Sequence, residues 1–221
     1  MDRFSRTEVL YGAEFLEFLV CGAGAVGGFA IEALARTGAQ NFVIVDGDSF
    51  DITNINRQLG ALSSTVGQKK AEVWKRRILE INPLAKVETA DFFIDESTAP
   101  RLLDCGCDVL LDAIELLKEA VSRGMKIVSS MGAARRKNPE MVKCAKLMKT
   151  SVCPIASSIR KSFRKMNLKP GFMCVYSDEA IGASTHVSSG GADSRKIVGS
   201  GAVVTGVFGL MLANLAMKEI L

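Results

Sequence analysis

The sequence contains a single histidine and no cysteine pair of the C-x-x-C type. His186 alone cannot supply a multi-histidine metal site, and a histidine-dependent catalytic triad is not expected either. Without a C-x-x-C pair, a structural zinc site is also not expected. The six cysteines are too few for a disulfide framework in a chain of 221 residues, which indicates a reducing compartment and a cytoplasmic location.

The chain also lacks clear targeting and membrane-spanning segments. No apolar stretch follows the basic residues near Met1, so no signal peptide is expected. Ile197–Ala216 carries no charge over twenty residues, which is close to the length of a membrane span. Several glycines and polar residues interrupt this stretch, so we expect a buried helix that packs against a sheet and no association with a membrane.

The positive charge is concentrated in one part of the chain. Between Arg135 and Lys169 there are eleven basic residues and one acid, Glu140, whereas the rest of the chain has 17 basic and 23 acidic residues. Clustered cations of this kind are typical of proteins that bind a polyanion such as a nucleic acid. A solvated basic surface without a partner is the alternative.

Strands alternate with helices along most of the sequence. This order predicts a doubly wound α/β fold with a mostly parallel sheet, followed by a basic helical and loop extension. We expect one domain over residues 1–221, with a nucleotide-binding half at 1–134 and a basic half at 135–221. The predicted strands are Phe18–Cys21, Phe42–Asp46, Lys86–Thr89, Val109–Asp112, Lys126–Ser129 and Phe172–Tyr176, and the predicted helices are Glu8–Glu17, Ile31–Ala35, Thr65–Ile81, Leu116–Arg123 and Pro154–Lys165.

Two junctions between these elements are unusually short. The first helix runs directly into the first strand, and the strand that ends at Asp112 is followed almost at once by a helix. Crossovers between parallel strands normally take a dozen or more residues. We therefore expect flexible segments to be missing near residues 17–18 and 114–116.

A glycine-rich motif follows the first predicted strand. Gly22, Gly24 and Gly27 form a G-x-G-x-x-G pattern at the start of a helix, where backbone amides and the helix N-terminus can bind phosphate. Asp46 ends the next strand, where its carboxylate can accept hydrogen bonds from ribose hydroxyls. Taken alone, this motif indicates any nucleotide, and NAD would be the usual ligand.

The polar residues that follow Asp46 favour a triphosphate over NAD. Cleavage of a triphosphate requires cations that offset the charge developing on the leaving pyrophosphate, whereas hydride transfer does not. An ordinary surface role is the alternative for Arg57 and Lys70. The polar set consists of Asp48, Asn54, Asn56, Arg57, Gln58 and Lys70.

These motifs together resemble the E1-like adenylating enzymes, the group that includes ThiF, MoeB and the ubiquitin-activating enzymes. The resemblance covers nearly the whole chain. Within the group, the sequence is similar to the branch of tRNA threonylcarbamoyladenosine dehydratases. The segments that carry this closer similarity are Arg3–Gly12, Ile81–Pro83, Ser130–Ala134, Lys149–Thr150 with Pro154 and its basic helix, and Tyr176–Glu179.

The resemblance implies specific roles for residues of this chain. ATP would be bound by the glycine loop and by Asp46, which would hold the ribose. Arg6 would reach across a homodimer into the neighbouring active site. The triphosphate would be contacted by Asn54, Arg57 and Lys70, with Asp48 and Gln58 beside them, and tRNA by Arg160, Lys161, Arg164 and Lys165.

The resemblance also implies a Mg²⁺ ion and marks one departure from the family. The family has an aspartate three residues after the position of Asp112, where this chain has Glu115. Glu115 would be the ligand, since Mg²⁺ accepts either carboxylate. In the alternative interpretation, which we favour, the true aspartate lies in the missing segment and Glu115 belongs to the following helix.

Three functions remain open at this point. The first is ATP-dependent dehydration of threonylcarbamoyladenosine in tRNA through an acyl-adenylate. The second is adenylation of the C-terminus of a ubiquitin-like sulfur-carrier partner, for which Cys153 and Cys174 are the only plausible thiols. The third is a non-catalytic module that binds a nucleotide or tRNA.

Overall fold

A seven-stranded sheet forms the centre of the protein in the computed structural model, which describes residues 2–12, 17–111, 116–181 and 198–220. The strand order is β3-β2-β1-β4-β5-β7-β6. All neighbouring strands are parallel except β6, which pairs antiparallel with β7. The strands are β1 (Glu17–Cys21), β2 (Asn41–Val45), β3 (Lys86–Ala90), β4 (Val109–Leu111), β5 (Lys126–Ser130), β6 (Val142–Lys146) and β7 (Met173–Ser177).

Helices cover both faces of this sheet, so the predicted doubly wound α/β fold is confirmed. Residues of α2, α3 and α7 join the apolar cluster on one face, and residues of α4, α5 and α6 join the cluster on the other. The helices are α1 (Ser5–Tyr11), α2 (Gly27–Arg36), α3 (Lys70–Ile81), α4 (Ala99–Leu103), α5 (Leu117–Ser122), α6 (Pro154–Lys165) and α7 (Ala202–Lys218).

The central strands are apolar throughout because each face of the sheet is buried. Along β1, Phe18 and Val20 contribute to the cluster beneath α2 and α7, whereas Leu19 and Cys21 contribute to the cluster beneath α5 and α6. Successive strand residues point to opposite faces, so a strand covered on both sides has no polar face.

The long uncharged segment forms a buried helix, as predicted, but with different bounds. α7 begins at Ala202 rather than Ile197 and extends to Lys218. A Cβ atom at Gly209 would lie 2.4 Å from the carbonyl oxygen of Val26 and 2.5 Å from Cβ of Phe29, so glycine is what lets α7 pack so closely on α2. No helix within the described ranges is both long and apolar enough to cross a membrane.

Two predicted helices were wrong in their bounds. α1 ends at Tyr11 because Gly12 adopts a φ of 85°, and Glu17 lies in β1. α3 begins at Lys70 rather than Thr65, because the preceding residues pair with the loop after β2. There the amide of Phe50 donates to the carbonyl of Gln68, and the amide of Gly67 donates to the carbonyl of Phe50.

The sequence did not predict α4 or β6. β6 is an edge strand in which Lys143 and Lys146 are exposed and the two residues between them are partly buried, so its sequence lacks the alternation that indicates a strand. The first short junction was predicted near residues 17–18, which lie in β1, whereas the residues just before it, 13–16, lie outside the described residues. The second was predicted near residues 114–116, of which 114 and 115 belong to the range 112–115 outside the described residues. This range also includes Asp112, the last residue of one predicted strand.

Candidate active site

Several loops meet at one edge of the sheet, where its parallel strands end. The chain runs from β1 outward through β2 and β3 on one side, and from β4 through β5 and β7 on the other. The strand order therefore reverses between β1 and β4. Ligands of doubly wound proteins bind in the crevice outside the carboxyl ends of the strands at such a reversal.

The glycine loop, residues 22–27, connects β1 to α2 through a turn that only glycine allows. Gly22 has a φ of 90°, and its amide donates to the carbonyl oxygen of Val45 at 2.8 Å. A Cβ atom at Gly27 would lie 1.8 Å from the carbonyl oxygen of Gly22. The loop therefore brings its backbone to the start of α2, where amides and the helix dipole favour an anion.

Asp46 fixes this loop to the end of β2. Its Oδ2 accepts the amide of Ala23 at 2.7 Å, and its Oδ1 accepts the amide of Asp48 at 2.9 Å. The sequence predicted a ribose ligand at this carboxylate, and the structure adds a structural role. Each carboxylate oxygen has more than one acceptor site, so the two amides leave room for ribose hydroxyls.

Lys70 lies beside Asp48 at the first turn of α3. Its side chain is 7% exposed, and its Nζ lies 2.8 Å from Oδ2 of Asp48, which is 53% exposed. An ammonium group has three donors, and this ion pair uses one of them. The neighbouring Lys69 is more exposed; it pairs with Asp91 at 3.0 Å and makes a longer contact, at 3.4 Å, with the carbonyl of Gly47.

The loop from Asp51 to Gln58 carries the other predicted triphosphate contacts. Asn54 is buried, and its Oδ1 accepts the amide of Asp51 at 3.2 Å. The guanidinium of Arg57 donates to the carbonyl of Thr53 at 2.7 Å. Gln58 is buried beside the glycine loop, with a side-chain oxygen that has no hydrogen-bond partner in the described part of the chain.

Two contacts around this loop were not predicted. The indole Nε1 of Trp74, one turn after Lys70, donates to the carbonyl oxygen of Ala23 at 3.1 Å and so supports the glycine loop. Asn56 donates from Nδ2 to the carbonyl of Ser200 at 2.8 Å, which ties the loop to the segment before α7. Both partners are distant in sequence, so spacing gave no signal for either contact.

Arg6 lies apart from these residues. The neighbouring Arg3 donates to the carbonyls of Glu80 and Ile81, at 3.0 Å each, which places the start of α1 at the C-terminal end of α3. Lys70 lies at the other end of this twelve-residue helix, about 17 Å away at 1.5 Å per residue. Arg6 is exposed there, and its role at a partner's active site stays a prediction.

The basic segment defined by Arg135–Lys169 is mostly surface. Nine of its eleven cations are exposed, Arg160 is half-buried and Arg136 is buried. On α6, the predicted tRNA-binding residues Lys161, Arg164 and Lys165 are exposed, whereas Arg160 donates to the hydroxyl of Thr150. The opposite side of α6 packs into the core through Ala156, Ile159 and Phe163.

The remaining predicted residues do not form a metal or thiol site in the described structure. Glu115, the predicted Mg²⁺ ligand, lies outside the described residues, and no group of three metal-binding side chains occurs within them. Cys153 is 2% exposed and Cys174 is 0% exposed, so neither thiol is accessible to a protein partner.

Residues 6–221 match the ThiF family. This match spans nearly the whole chain, and the protein belongs to that family.

Its relatives include tRNA threonylcarbamoyladenosine dehydratases. The chain is 42% identical to the one from Bacillus subtilis over 193 residues, which cover 81% of this chain and 76% of that protein. It is 31% identical to the one from Escherichia coli over 254 aligned positions, which cover 100% and 94% of the two chains. Among solved structures, the Escherichia coli enzyme in complex with ATP superposes with a TM-score of 0.86 at 30% identity, covering 98% of this chain and 93% of that one.

The carboxylate of Glu179, which follows β7, makes the stability of the protein depend on pH. Its carboxylate accepts the amides of Asn138 and Lys137, at 3.0 and 2.9 Å, and these bonds lower the pKa of Glu179 below its usual range. A carboxyl with a depressed pKa stabilises the fold above its unfolded pKa of about 4.3, and this stabilisation is lost as the pH falls through the folded value.

We therefore expect Glu179→Gln to lower the free energy of unfolding at pH 7 and to have a diminishing effect as the pH falls below about 4.3. Urea denaturation across this range measures the difference from the wild type. Glu140→Gln removes the same charge nearby and serves as the control. An effect of Glu179→Gln that is constant from pH 7 to pH 3 would contradict the interpretation.

Proposed function

We propose that this protein dehydrates N6-threonylcarbamoyladenosine in tRNA at the expense of ATP. One observation carries the proposal: the glycine loop, Asp46 and the buried ammonium of Lys70 lie together at the carboxyl edge of the sheet. Asp46 binds the glycine loop, and Lys70 pairs with Asp48 beside it. Two relatives support the proposal. The chain is 42% identical to a tRNA threonylcarbamoyladenosine dehydratase, and its structure is similar to that of another such enzyme in complex with ATP.

The proposed chemistry needs no protein nucleophile. The threonyl carboxylate attacks the α-phosphate of ATP and forms an acyl-adenylate, and pyrophosphate leaves. The carbamoyl nitrogen then attacks the activated carbonyl and closes a ring, and AMP leaves. The modified nucleoside has lost one water overall. Orientation of the reactants and stabilisation of the departing charge supply the rate enhancement.

The residues of the site divide this work between them. The glycine loop and the N-terminus of α2 hold phosphate oxygens, and Asp46 holds the ribose. Lys70 has two ammonium protons left for the triphosphate, and Arg57 lies on the loop beside it. Asn54 is a buried polar group that accepts the amide of Asp51 within its own loop, and Gln58 is buried beside the glycine loop.

Mg²⁺ accompanies ATP in the proposed reaction and would offset negative charge on the phosphates. Its ligand is proposed to be a carboxylate from the segment that contains Glu115. Asp48 is the exposed carboxylate nearest the proposed triphosphate, and it is already paired with Lys70.

The proposed tRNA surface is the exposed side of α6 with the rest of the basic segment. Its cations face solvent and lack acidic neighbours along the helix, as phosphate binding requires. The basic half, 135–221, would thus bind tRNA and contribute to a homodimer, and Arg6 would act in the site of the partner subunit.

The decisive test is a nucleoside assay. The purified protein is incubated with ATP, Mg²⁺ and tRNA that bears threonylcarbamoyladenosine, and the digested nucleosides are analysed by mass spectrometry. We expect an ATP-dependent loss of one water from the modified adenosine, with one AMP formed for each nucleoside converted. AMP formation with a ubiquitin-like carrier and an unchanged nucleoside would contradict the proposal.

Lys70 and Lys69 provide a matched pair of variants. We expect Lys70→Met to reduce the rate of AMP formation about 10²–10³-fold, because it removes a cation placed at the developing pyrophosphate charge. Lys69→Met should stay within about twofold, since Lys69 points to Asp91 on the surface. Equal losses in the two variants, with both proteins folded by circular dichroism, would remove Lys70 from the mechanism.

The tRNA surface is tested by the salt dependence of binding. The triple variant Lys161→Ala, Arg164→Ala, Lys165→Ala should bind tRNA more weakly and lower the slope of log K against log salt by about 0.7–0.9 for each lost phosphate contact. The control, Lys86→Ala, Lys118→Ala, Lys126→Ala, changes the net charge equally on other exposed positions. If the control variant lowers the slope of log K against log salt as much as the α6 variant does, the exposed side of α6 is not a specific tRNA-binding surface.

A further inference from the structure

Arg136 is the one buried cation of the basic segment. The residue is 4% exposed, although its neighbours Arg135 and Lys137 are exposed. All three guanidinium nitrogens are buried, and none has a hydrogen-bond partner among residues 2–12, 17–111, 116–181 and 198–220. A buried guanidinium without a hydrogen-bond partner has lost its hydration and has no protein group in its place. Its burial therefore indicates that an anion binds there.

The backbone on both sides of Arg136 is held in place. Arg135 adopts a φ of 60°, a left-handed conformation that is uncommon outside glycine, and its amide donates to the carbonyl of Gly199 at 2.8 Å. The amides of Lys137 and Asn138 donate to Glu179. The side chain of Arg136 is therefore presented by a fixed and locally strained loop, as is common at binding sites.

Glu179 lies near this arginine but does not form a hydrogen bond with it. The positive charge of Arg136 contributes to the lowered pKa of Glu179, so the two groups are near each other. The carboxylate of Glu179 nevertheless accepts backbone amides, and neither of its oxygens forms a hydrogen bond with the guanidinium in the described structure. The guanidinium donors of Arg136 are thus buried and form no hydrogen bond in the described structure.

The loop of Arg136 and the triphosphate residues lie on opposite sides of the reversal in strand order. This loop follows β5, which lies two strands from β1, or about 10 Å across the sheet. The segment before α7 connects the two sides, because Gly199 accepts from Arg135 and Ser200 accepts from Asn56. The strand between β1 and β5 is β4, so the loop of Arg136 is separated from the glycine loop by one strand.

We propose that Arg136 binds the carboxylate that becomes adenylated, the threonyl carboxylate of the modified nucleoside. This assignment rests on the proposed function. A planar guanidinium matches a carboxylate through two parallel hydrogen bonds. The phosphates already have cations on the β1–β2 side of the crevice, in Lys70 and Arg57. A carboxylate that attacks the α-phosphate must approach from the side opposite the leaving pyrophosphate, and the proposal assigns that side to Arg136.

Binding of two tRNAs in the absence of ATP tests the assignment without relying on turnover. One tRNA bears threonylcarbamoyladenosine, and the other is identical except for an unmodified adenosine. The wild type should bind the modified tRNA more tightly. Arg136→Gln should lose about 10- to 100-fold in affinity for the modified tRNA only, because the lost bonds are to a charged group. Arg136→Lys should retain part of the preference.

Lys137→Gln is the matched control for charge. Lys137 is exposed in the same loop, so its loss should weaken both tRNAs to the same extent and leave the preference intact. Thermal unfolding gives an independent readout: Arg136→Gln should be at least as stable as the wild type, since it removes a buried charge that has no partner. A strongly destabilised Arg136→Gln would show that the arginine has a structural partner and would overturn the assignment.

The outcomes separate this inference from the proposed function. If the wild type prefers the modified tRNA and Arg136→Gln keeps that preference, the assignment of Arg136 is wrong and the function stands. If Arg136→Gln instead loses affinity for ATP alone, the arginine binds phosphate and the assignment is again wrong. A wild type that binds both tRNAs equally and dehydrates neither would contradict the proposed function itself.

Discussion

The carboxylate of Asp46 joins the two strand ends on which the candidate site is built. Its two oxygens accept one amide from the glycine loop and one from the loop after β2, while the amide of Gly22 donates to the last residue of β2. The start of α2 and the position of Lys70 both depend on this junction, because Lys70 is anchored through Asp48. A change that loosened it would displace the anion site and the cation beside it together.

The cations of the protein differ in burial, and this difference separates their roles. The exposed cations of α6 keep their hydration. Through charge alone, such cations can bind the phosphate backbone of a nucleic acid whatever its sequence. Lys70 is buried and paired with Asp48, so solvent ions screen its charge only weakly and the charge acts on groups close to it. Arg136 is buried and has no hydrogen-bond partner among the described residues, which is why we propose it for the substrate carboxylate.

Features that depend on local sequence could be predicted, and those that depend on distant contacts could not. The spacing of Gly22, Gly24 and Gly27 predicted the tight turn between β1 and α2, because a turn of this kind needs glycine at fixed positions. The support from Trp74 and the burial of Arg136 depend on tertiary packing, and the sequence gives Arg136 the same appearance as its exposed neighbours. Likewise, Arg160 shares a helical face with Lys161 and Arg164 by periodicity, yet the contact with Thr150 sets it apart.

The topology of the sheet would allow one domain to bind both proposed reactants. The proposed nucleotide loops follow β1 and β2, whereas the loop of Arg136 and the basic segment follow β5 and surround β6 and β7. Because the strand order reverses at β1 and β4, these two groups approach the crevice from opposite sides. α6 lies on the face of the sheet opposite α2 and α3, so RNA held by α6 would not compete with ATP for the same surface. The two ligands need meet only at the carboxyl edge, where an acyl-adenylate would have to form.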